Sequence, residues 1–134
     1  MNEGVARKFH AWLDETFAGS VPAGIVAFNV NLYDSPFFAE VVGSTHFDPQ
    51  AEDWACEEAW TPNRSNRFDF PEGTEGIPWE ERLADIEALL RQWMGPGNPI
   101  AAKLLDADAF AVGFVDGDLT ILHQRPSRRD RVCV

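Results

Sequence analysis

Residues 48–60 combine two tryptophans with a run of carboxylates, a pairing of residue types that suits recognition of a cationic surface. The segment reads DPQAEDWACEEAW, so Trp54 and Trp60 alternate with acidic side chains. A tryptophan ring binds cations on its face, and carboxylates accept paired hydrogen bonds from arginine. Such residues often dominate the binding energy of protein interfaces. We predict that six residues contact a partner: Glu52, Asp53, Trp54, Glu57, Glu58 and Trp60.

The same tryptophans have a structural alternative, in which their rings fill the core and the acids form a solvated edge. For each tryptophan taken singly, the sequence slightly favours the core. The charge of the surrounding region argues for a binding surface instead. Residues 40–90 carry 13 acidic and three basic side chains, a net charge of −10. Since self-repulsion of that charge costs stability, we expect it to serve a partner of positive charge.

Motifs for catalysis, metal binding and cofactors are absent from the sequence. A metal site of His46, His123 and Asp48 across a sheet is conceivable, but isolated histidines are usually structural. Asp116-Gly117-Asp118 does not continue into a calcium loop, and Cys56 and Cys133 have no metal spacing. We therefore predict no metal, no cofactor and no catalytic residue, although the many carboxylates leave acid–base catalysis open. A disulfide between the two cysteines also stays open.

A second hypothesis from a different class is a small enzyme or ligand-binding domain with a pocket beside the sheet. Its candidate polar groups are Asp116, Asp118 and His123. A third hypothesis, mimicry of nucleic acid charge, differs from the first only in the identity of the partner.

Charge and length limit the possible partners. The chain has 134 residues with 11 basic and 22 acidic side chains, a net charge of −11. The length predicts a single domain over 1–134, with a short basic tail from about residue 125. The negative charge disfavours nucleic acid and anionic membranes. Residues 1–4 lack the basic and apolar pattern of a secretion signal, and no apolar run is long enough to span a membrane, so we expect a cytoplasmic protein.

Hydrophobic periodicity predicts the elements that position these residues. Apolar residues recur at three- and four-residue steps over 3–18 and 79–93, which predicts two helices, and Asn98 is the expected cap of a brief third helix. Alternation predicts strands over 24–33 and 37–46, with Asn29 and Asn31 on the polar face of the first. Phe68 and Phe70 indicate a further short strand. We also predict a strand over 54–60, with a helix as the open alternative.

A hairpin closes the chain, with strands over 109–115 and 118–123 around Asp116-Gly117, which suits a type I′ turn. That turn pairs Phe114 with Leu119, Val112 with Ile121, and Phe110 with His123, all on one face. The opposite face has Ala109, Ala111 and Gly113, which allow a neighbouring element to approach closely. The order of elements predicts an α+β fold: a single, mostly antiparallel sheet with helices packed on one face.

Two segments carry a resemblance to known proteins. DWACEE at 53–58 and VGFVDGDL at 112–119 resemble segments of small, uncharacterised bacterial proteins. In size, acidity and aromatic content the chain is similar to immunity proteins, the cytoplasmic antidotes of bacterial toxins. The resemblance implies a non-catalytic inhibitor whose partner is a basic protein surface such as a toxin domain, and it transfers no residue role.

Overall fold

Three α-helices and one five-stranded sheet occupy the part of the chain that the computed structural model describes, residues 3–19, 21–34, 36–51, 53–61, 67–71, 77–115 and 117–125. The elements are α1 (Glu3–Ala18), β1 (Ala27–Tyr33), β2 (Phe38–Ser44), β3 (Arg67–Asp69), α2 (Trp79–Trp93), α3 (Pro99–Ala102), β4 (Ala109–Phe114) and β5 (Thr120–Gln124). None of the helices in these ranges is both long enough and apolar enough to cross a lipid bilayer.

The sheet is mixed, with the strand order β3-β2-β1-β4-β5. β1 pairs in parallel with β4, from Ala27 beside Ala109 to Leu32 beside Phe114, and the other three pairings are antiparallel. The parallel pair arises because the chain passes through α2 and α3 before it enters β4, and a crossover of that length permits parallel pairing. The prediction of an α+β fold with one sheet is confirmed, and the sheet is not antiparallel throughout.

Alternation along β1 divides the buried side chains into two hydrophobic clusters. The larger cluster contains Phe28, Val30 and Leu32 of β1 together with buried side chains of α1 and α2, such as Phe9 and Ile86. The apolar stripes predicted for the two long helices therefore enter one core with one face of β1. The cap of α3 is also confirmed, because the Asn98 side chain accepts hydrogen bonds from the N–H groups of residues 100 and 101.

The smaller cluster lies on the other face of β1, which we call the second face. It contains Trp54 and Ala55 packed on Ala27, Ala109 and Ala111. Three alanines in neighbouring strands leave a shallow surface, so a large indole can lie directly on the sheet. The expectation that the small residues of β4 admit a close neighbour is confirmed.

The closing hairpin has a different register from the predicted one. Phe110 does pair with His123, but an irregularity between Phe110 and Ala111 sets Ile121 opposite Ala111 instead of Val112. A one-residue shift moves a side chain to the opposite face of a sheet, so Ile121 and Leu119 pack against the smaller cluster. The predicted turn residue Asp116 lies outside the described residues.

The strand predicted over 54–60 is wrong. A single 3-10 turn occupies Asp53–Cys56, and Trp60 forms only an isolated bridge with Gly43. The positions of Trp54, Cys56 and Trp60 fit a two-residue period, which is typical of an extended segment, but the two tryptophan rings enter different clusters. Trp54 belongs to the smaller cluster, and Trp60 packs against the larger one.

Candidate functional site

The two tryptophans of the predicted contact set are packed against the sheet on opposite sides. Trp54 is 1% exposed and lies edge-to-face with Phe47, at 5.1 Å between ring centroids. Trp60 is half-buried, and its ring centroid lies 5.8 Å from that of Phe28. Ile25 and Trp60 together explain Gly43, since a Cβ there would lie 2.7 Å from Cγ2 of Ile25 and 3.1 Å from the Trp60 ring. The indoles therefore do not form one surface.

Glu57 is held by neighbouring groups of the same chain. Its carboxylate accepts two hydrogen bonds from Thr45, one from the hydroxyl at 2.5 Å and one from the backbone N–H at 3.2 Å. The carboxylate also lies 2.6 Å from Nδ1 of His46. The Thr45 hydroxyl is the largest of the causes that lower the pKa of Glu57. Nearby, the carbonyls of Trp54 and Glu57 share the single O–H donor of Ser44. The contacts of Glu57 thus hold the segment after the 3-10 turn against the end of β2.

Asp53 and Glu58 are the members of the predicted set that face solvent, and Glu52 lies outside the described residues. Asp53 and Glu58 line a cavity of about 410 Å³ on the second face. We call this cavity the acidic cleft. Its other polar lining residues are Asn29, Asn31 and Tyr33 of β1. Its apolar lining includes Ala55, Phe114, Val115 and Leu119.

Asn29 gives the cleft a buried polar group in the central strand. The residue is 1% exposed, and its Nδ2 donates to Oδ1 of Asn31. Within the described part of the chain, Oδ1 of Asn29 accepts no hydrogen bond. The residues beside it in the two neighbouring strands are Val42 and Ala111, whose side chains have no donor. Since most buried polar atoms are hydrogen-bonded, this acceptor marks the cleft as unusual.

Tyr33 reports a negative environment at the same place. Its hydroxyl donates to Oε1 of Glu40 at 2.5 Å, and its ring stacks on Phe38 at 4.3 Å. Burial, followed by the hydrogen bond and charge of Glu40 and the charge of Glu58, raises the pKa of Tyr33 to about 12. Negative charge on the phenol is therefore opposed by the carboxylates around it.

A second cavity, of about 300 Å³, adjoins the acidic cleft. It is lined by Trp79, Asp34 and Asp118, and Phe114 and Gly117 line both cavities. β1 and β4 are parallel and end at Tyr33 and Phe114, so the two cavities lie near the carboxyl ends of a parallel strand pair. In open sheets with parallel strands, this is the usual position of ligand sites.

Sequence reasoning missed the exposure of Trp79, which it placed in the apolar stripe of the helix. The ring is 56% exposed. The signal was its position as the first residue of α2. A helical side chain points toward the N-terminus and packs on the preceding turn of its helix. The first residue of a helix has no such turn, so its side chain stays exposed.

Arg82 was also not anticipated as a buried residue. Its guanidinium donates to Oδ1 of Asp34 at 2.8 Å and lies 4.6 Å from the centre of the Phe37 ring. The arginine is 4% exposed, whereas the Asp34 side chain is 67% exposed. This ion pair connects the turn after β1 to α2. It also neutralises the charge of Asp34 at the second cavity.

The two described polar groups of the ligand-binding hypothesis have different surroundings. Asp118 lines the second cavity, whereas Nε2 of His123 lies 3.0 Å from the carbonyl of Leu105, and Asp116 lies outside the described residues. Across the described ranges, no group of three or more His, Cys, Asp or Glu side chains is arranged to hold a metal ion. Cys133 and the tail beyond residue 125 lie outside the described part, as does the side chain of Cys56.

Comparison with known proteins gives no relative: no protein-family model, no curated protein and no solved structure matches this chain.

Proposed function

We propose that this protein is a non-catalytic binding domain that captures a basic protein through the acidic cleft. The observation that carries the proposal is the composition of the cleft. Asp53 and Glu58 lie exposed at its border, and none of its described lining residues is basic. A cavity with one sign of charge and partly apolar walls concentrates its field, which attracts and orients a partner of opposite charge.

The proposal includes an arrangement of layers that would leave the cleft accessible. All three helices would pack on the face of the larger cluster, so that, of the described residues, only the 3-10 turn Asp53–Cys56 and its neighbours cover the second face. The membership of the clusters supports this arrangement, since buried residues of α1, α2 and α3 join the larger cluster, whereas the smaller cluster holds only sheet residues, Trp54, Ala55 and their neighbours.

The aromatic part of the proposed contact differs from the one that the sequence predicted. We leave out Trp54 because its indole has almost no exposed area, and Glu57 because its carboxylate is engaged by Thr45 and His46. Trp79 takes the place of Trp54 as the aromatic contact, since its ring is largely exposed and lines the adjoining cavity with Asp118. An exposed tryptophan and a carboxylate thus do lie together, but in the second cavity and not in the predicted segment 48–60.

The proposed biological role is that of an immunity protein: an inhibitor that acts in the cytoplasm by covering the basic surface of a toxin domain. The net charge of −11 supports a partner of opposite charge. A gene for a secreted protein with a toxic C-terminal domain directly beside the gene for this chain would support this role.

Backbone amide NMR tests the location of the binding surface. A short arginine-rich peptide is titrated into the ¹⁵N-labelled protein at low salt, and the titration is repeated at high salt. We expect the largest shift changes at residues 29–33, 53–58 and 117–119, and their loss at high salt, because screening weakens exposed charge pairs. Changes concentrated on α1, or spread evenly over the chain, would show that the cleft is not the binding surface.

A second candidate function is binding of a small ligand, and the two adjoining cavities favour it. Their volumes of about 410 and 300 Å³ fall near the lower end of the range of small-molecule sites, roughly 300–1,000 Å³. Thermal unfolding with a panel of uncharged metabolites separates the two functions. A neutral compound that stabilises the protein and displaces the peptide would favour this second function.

A further inference from the structure

We propose that the acidic cleft receives the guanidinium group of an arginine side chain carried by the basic partner. This inference deepens the proposed function and rests on it. It depends on one juxtaposition: Asn29, whose buried Oδ1 has no hydrogen-bond donor among the described residues, lines the same cavity as Asp53 and Glu58.

The buried oxygen requires a donor that the described chain does not supply. The hydrogen bond from Asn29 to Asn31 uses Nδ2, and the amide oxygen Oδ1, which can only accept, needs a separate donor. The hydroxyl of Tyr33, the nearest polar group along the strand after Asn31, donates to Glu40. Leaving a buried acceptor unbonded destabilises a folded protein, so a bonded state with a ligand would recover that free energy.

The position of Asn29 argues against a purely structural role. It lies in the central strand of the sheet, where Val42 and Ala111 flank it and are both almost completely buried. A β-branched or other apolar residue would suit that environment better than an amide with an unbonded oxygen. Residues that depart from the local rules in this way are typical of functional sites.

The chemistry of the lining favours a cation with several donors and no acceptor. Carboxylates and an amide oxygen accept hydrogen bonds, and a guanidinium has five N–H donors in one plane. The other walls are apolar, formed in part by Ala55, Val115 and Leu119. Guanidinium is more weakly hydrated than ammonium and tolerates such surroundings better, so we infer arginine rather than lysine.

Calorimetric titration with matched peptides tests the inference. Three short peptides of identical design carry arginine, lysine or the uncharged arginine analogue citrulline at the same positions, and N-acetyl-arginine amide provides the free group. We expect the arginine peptide to bind most tightly and the citrulline peptide most weakly. The free compound should bind more weakly than the arginine peptide, because the partner supplies further contacts.

The decisive variant is Asn29→Leu, which removes the acceptor and fills the position with an apolar side chain. We expect it to lower affinity for the arginine peptide by about tenfold or more, since a hydrogen bond to a charged group is lost. Its thermal unfolding temperature should stay equal to that of the natural chain or rise. Glu15→Gln, on the exposed side of α1, is the control and should change neither quantity.

A measurement on the natural chain covers the case in which Asn29→Leu does not fold. The side-chain amide resonances of Asn29 and Asn31 should shift when the arginine peptide binds, and should shift less with the lysine peptide. Unchanged amide resonances at saturation would overturn the inference.

The remaining outcomes separate the two proposals. Equal affinity of Asn29→Leu and the natural chain for the arginine peptide would overturn the guanidinium site, whereas loss of binding on Asp53→Lys/Glu58→Lys would still support the acidic surface. Equal affinity of the free compound and the peptide would contradict a group carried by a partner. Absence of any peptide binding at low salt would contradict both proposals.

Discussion

Glu57 and Glu58 are adjacent carboxylates with different surroundings. Glu57 accepts hydrogen bonds from Thr45 and contacts His46, whereas Glu58 is exposed at the acidic cleft. The sequence placed both in one predicted contact set, because residue type alone does not reveal which carboxylate already has a partner within the chain. The hydrogen bonds of Glu57 are tertiary contacts with the end of β2, so only the fold could separate the two roles.

Glu57 should make stability depend on pH in the acid range. Its folded pKa is lowered from the ordinary value of 4.5, so the ionised carboxylate contributes stability at neutral pH that is lost as the pH falls through the lowered value. Urea unfolding between neutral and acid pH measures this. We expect Glu57→Gln to be less stable at neutral pH and to lose less stability on acidification. A parallel pH dependence of the two proteins would contradict the role of Glu57; Glu15→Gln is the control.

Tyr33 is a spectroscopic reporter of the cleft because it is the single tyrosine of the chain. Its phenolate absorbance should appear with a pKa of about 12, and Glu40→Gln should move that pKa toward the ordinary value of 10.0. Since the folded pKa is raised, the neutral phenol contributes stability below pH 10.0 that is lost as the pH rises toward 12. A titration near 10.0 in the natural chain would show that burial and the carboxylates of Glu40 and Glu58 do not act on Tyr33.

At the scale of elements, local patterns predicted more than tertiary contacts did. The helices α1 and α2, the strands β1 and β2, and the cap at Asn98 follow from periodicity and turn chemistry that lie within a few residues. The parallel pairing of β1 with β4 and the irregularity after Phe110 depend on how distant segments meet. Such features have no local signature in the sequence.

The candidate site was predicted in part for the same reason. The sequence predicts Asp53 and Glu58 as contact residues, a prediction that the proposed function keeps, and it places Asn29 on the polar face of its strand. The sequence could not show that this polar face meets the 3-10 turn Asp53–Cys56, because a strand was predicted there. Trp79 was taken for a core residue, since its spacing fits the stripe of α2 although its position at the helix start exposes it.

The 3-10 turn should depend on Trp54 for its attachment to the sheet. Trp54→Ala removes a fully buried indole and should lower the free energy of unfolding by about 3–5 kcal/mol. Trp60→Ala should cost less, because that ring is only half-buried. Urea unfolding followed by circular dichroism measures both variants. A cost for Trp54→Ala below that for Trp60→Ala would contradict the described packing.

At the scale of the whole molecule, the proposed function depends on where the net charge of −11 is displayed. Some carboxylates are balanced within the chain, as Asp34 is by Arg82 and Asp69 by Arg67. Asp53 and Glu58 have no basic neighbour among the described residues of the cleft. A partner of positive charge would therefore lower the electrostatic free energy of the complex by binding at this place.

The measurement that tests this account most directly is the salt dependence of arginine-peptide binding by two charge-reversal variants. Asp53→Lys/Glu58→Lys changes the cleft, and Glu3→Lys/Glu15→Lys makes the same change in net charge at exposed positions of α1. We predict that the cleft variant loses at least about tenfold in affinity at low salt, with a weaker dependence on salt, while the α1 variant stays close to the natural chain. Equal losses in the two variants would mean that only net charge matters, and would contradict a binding surface at the cleft.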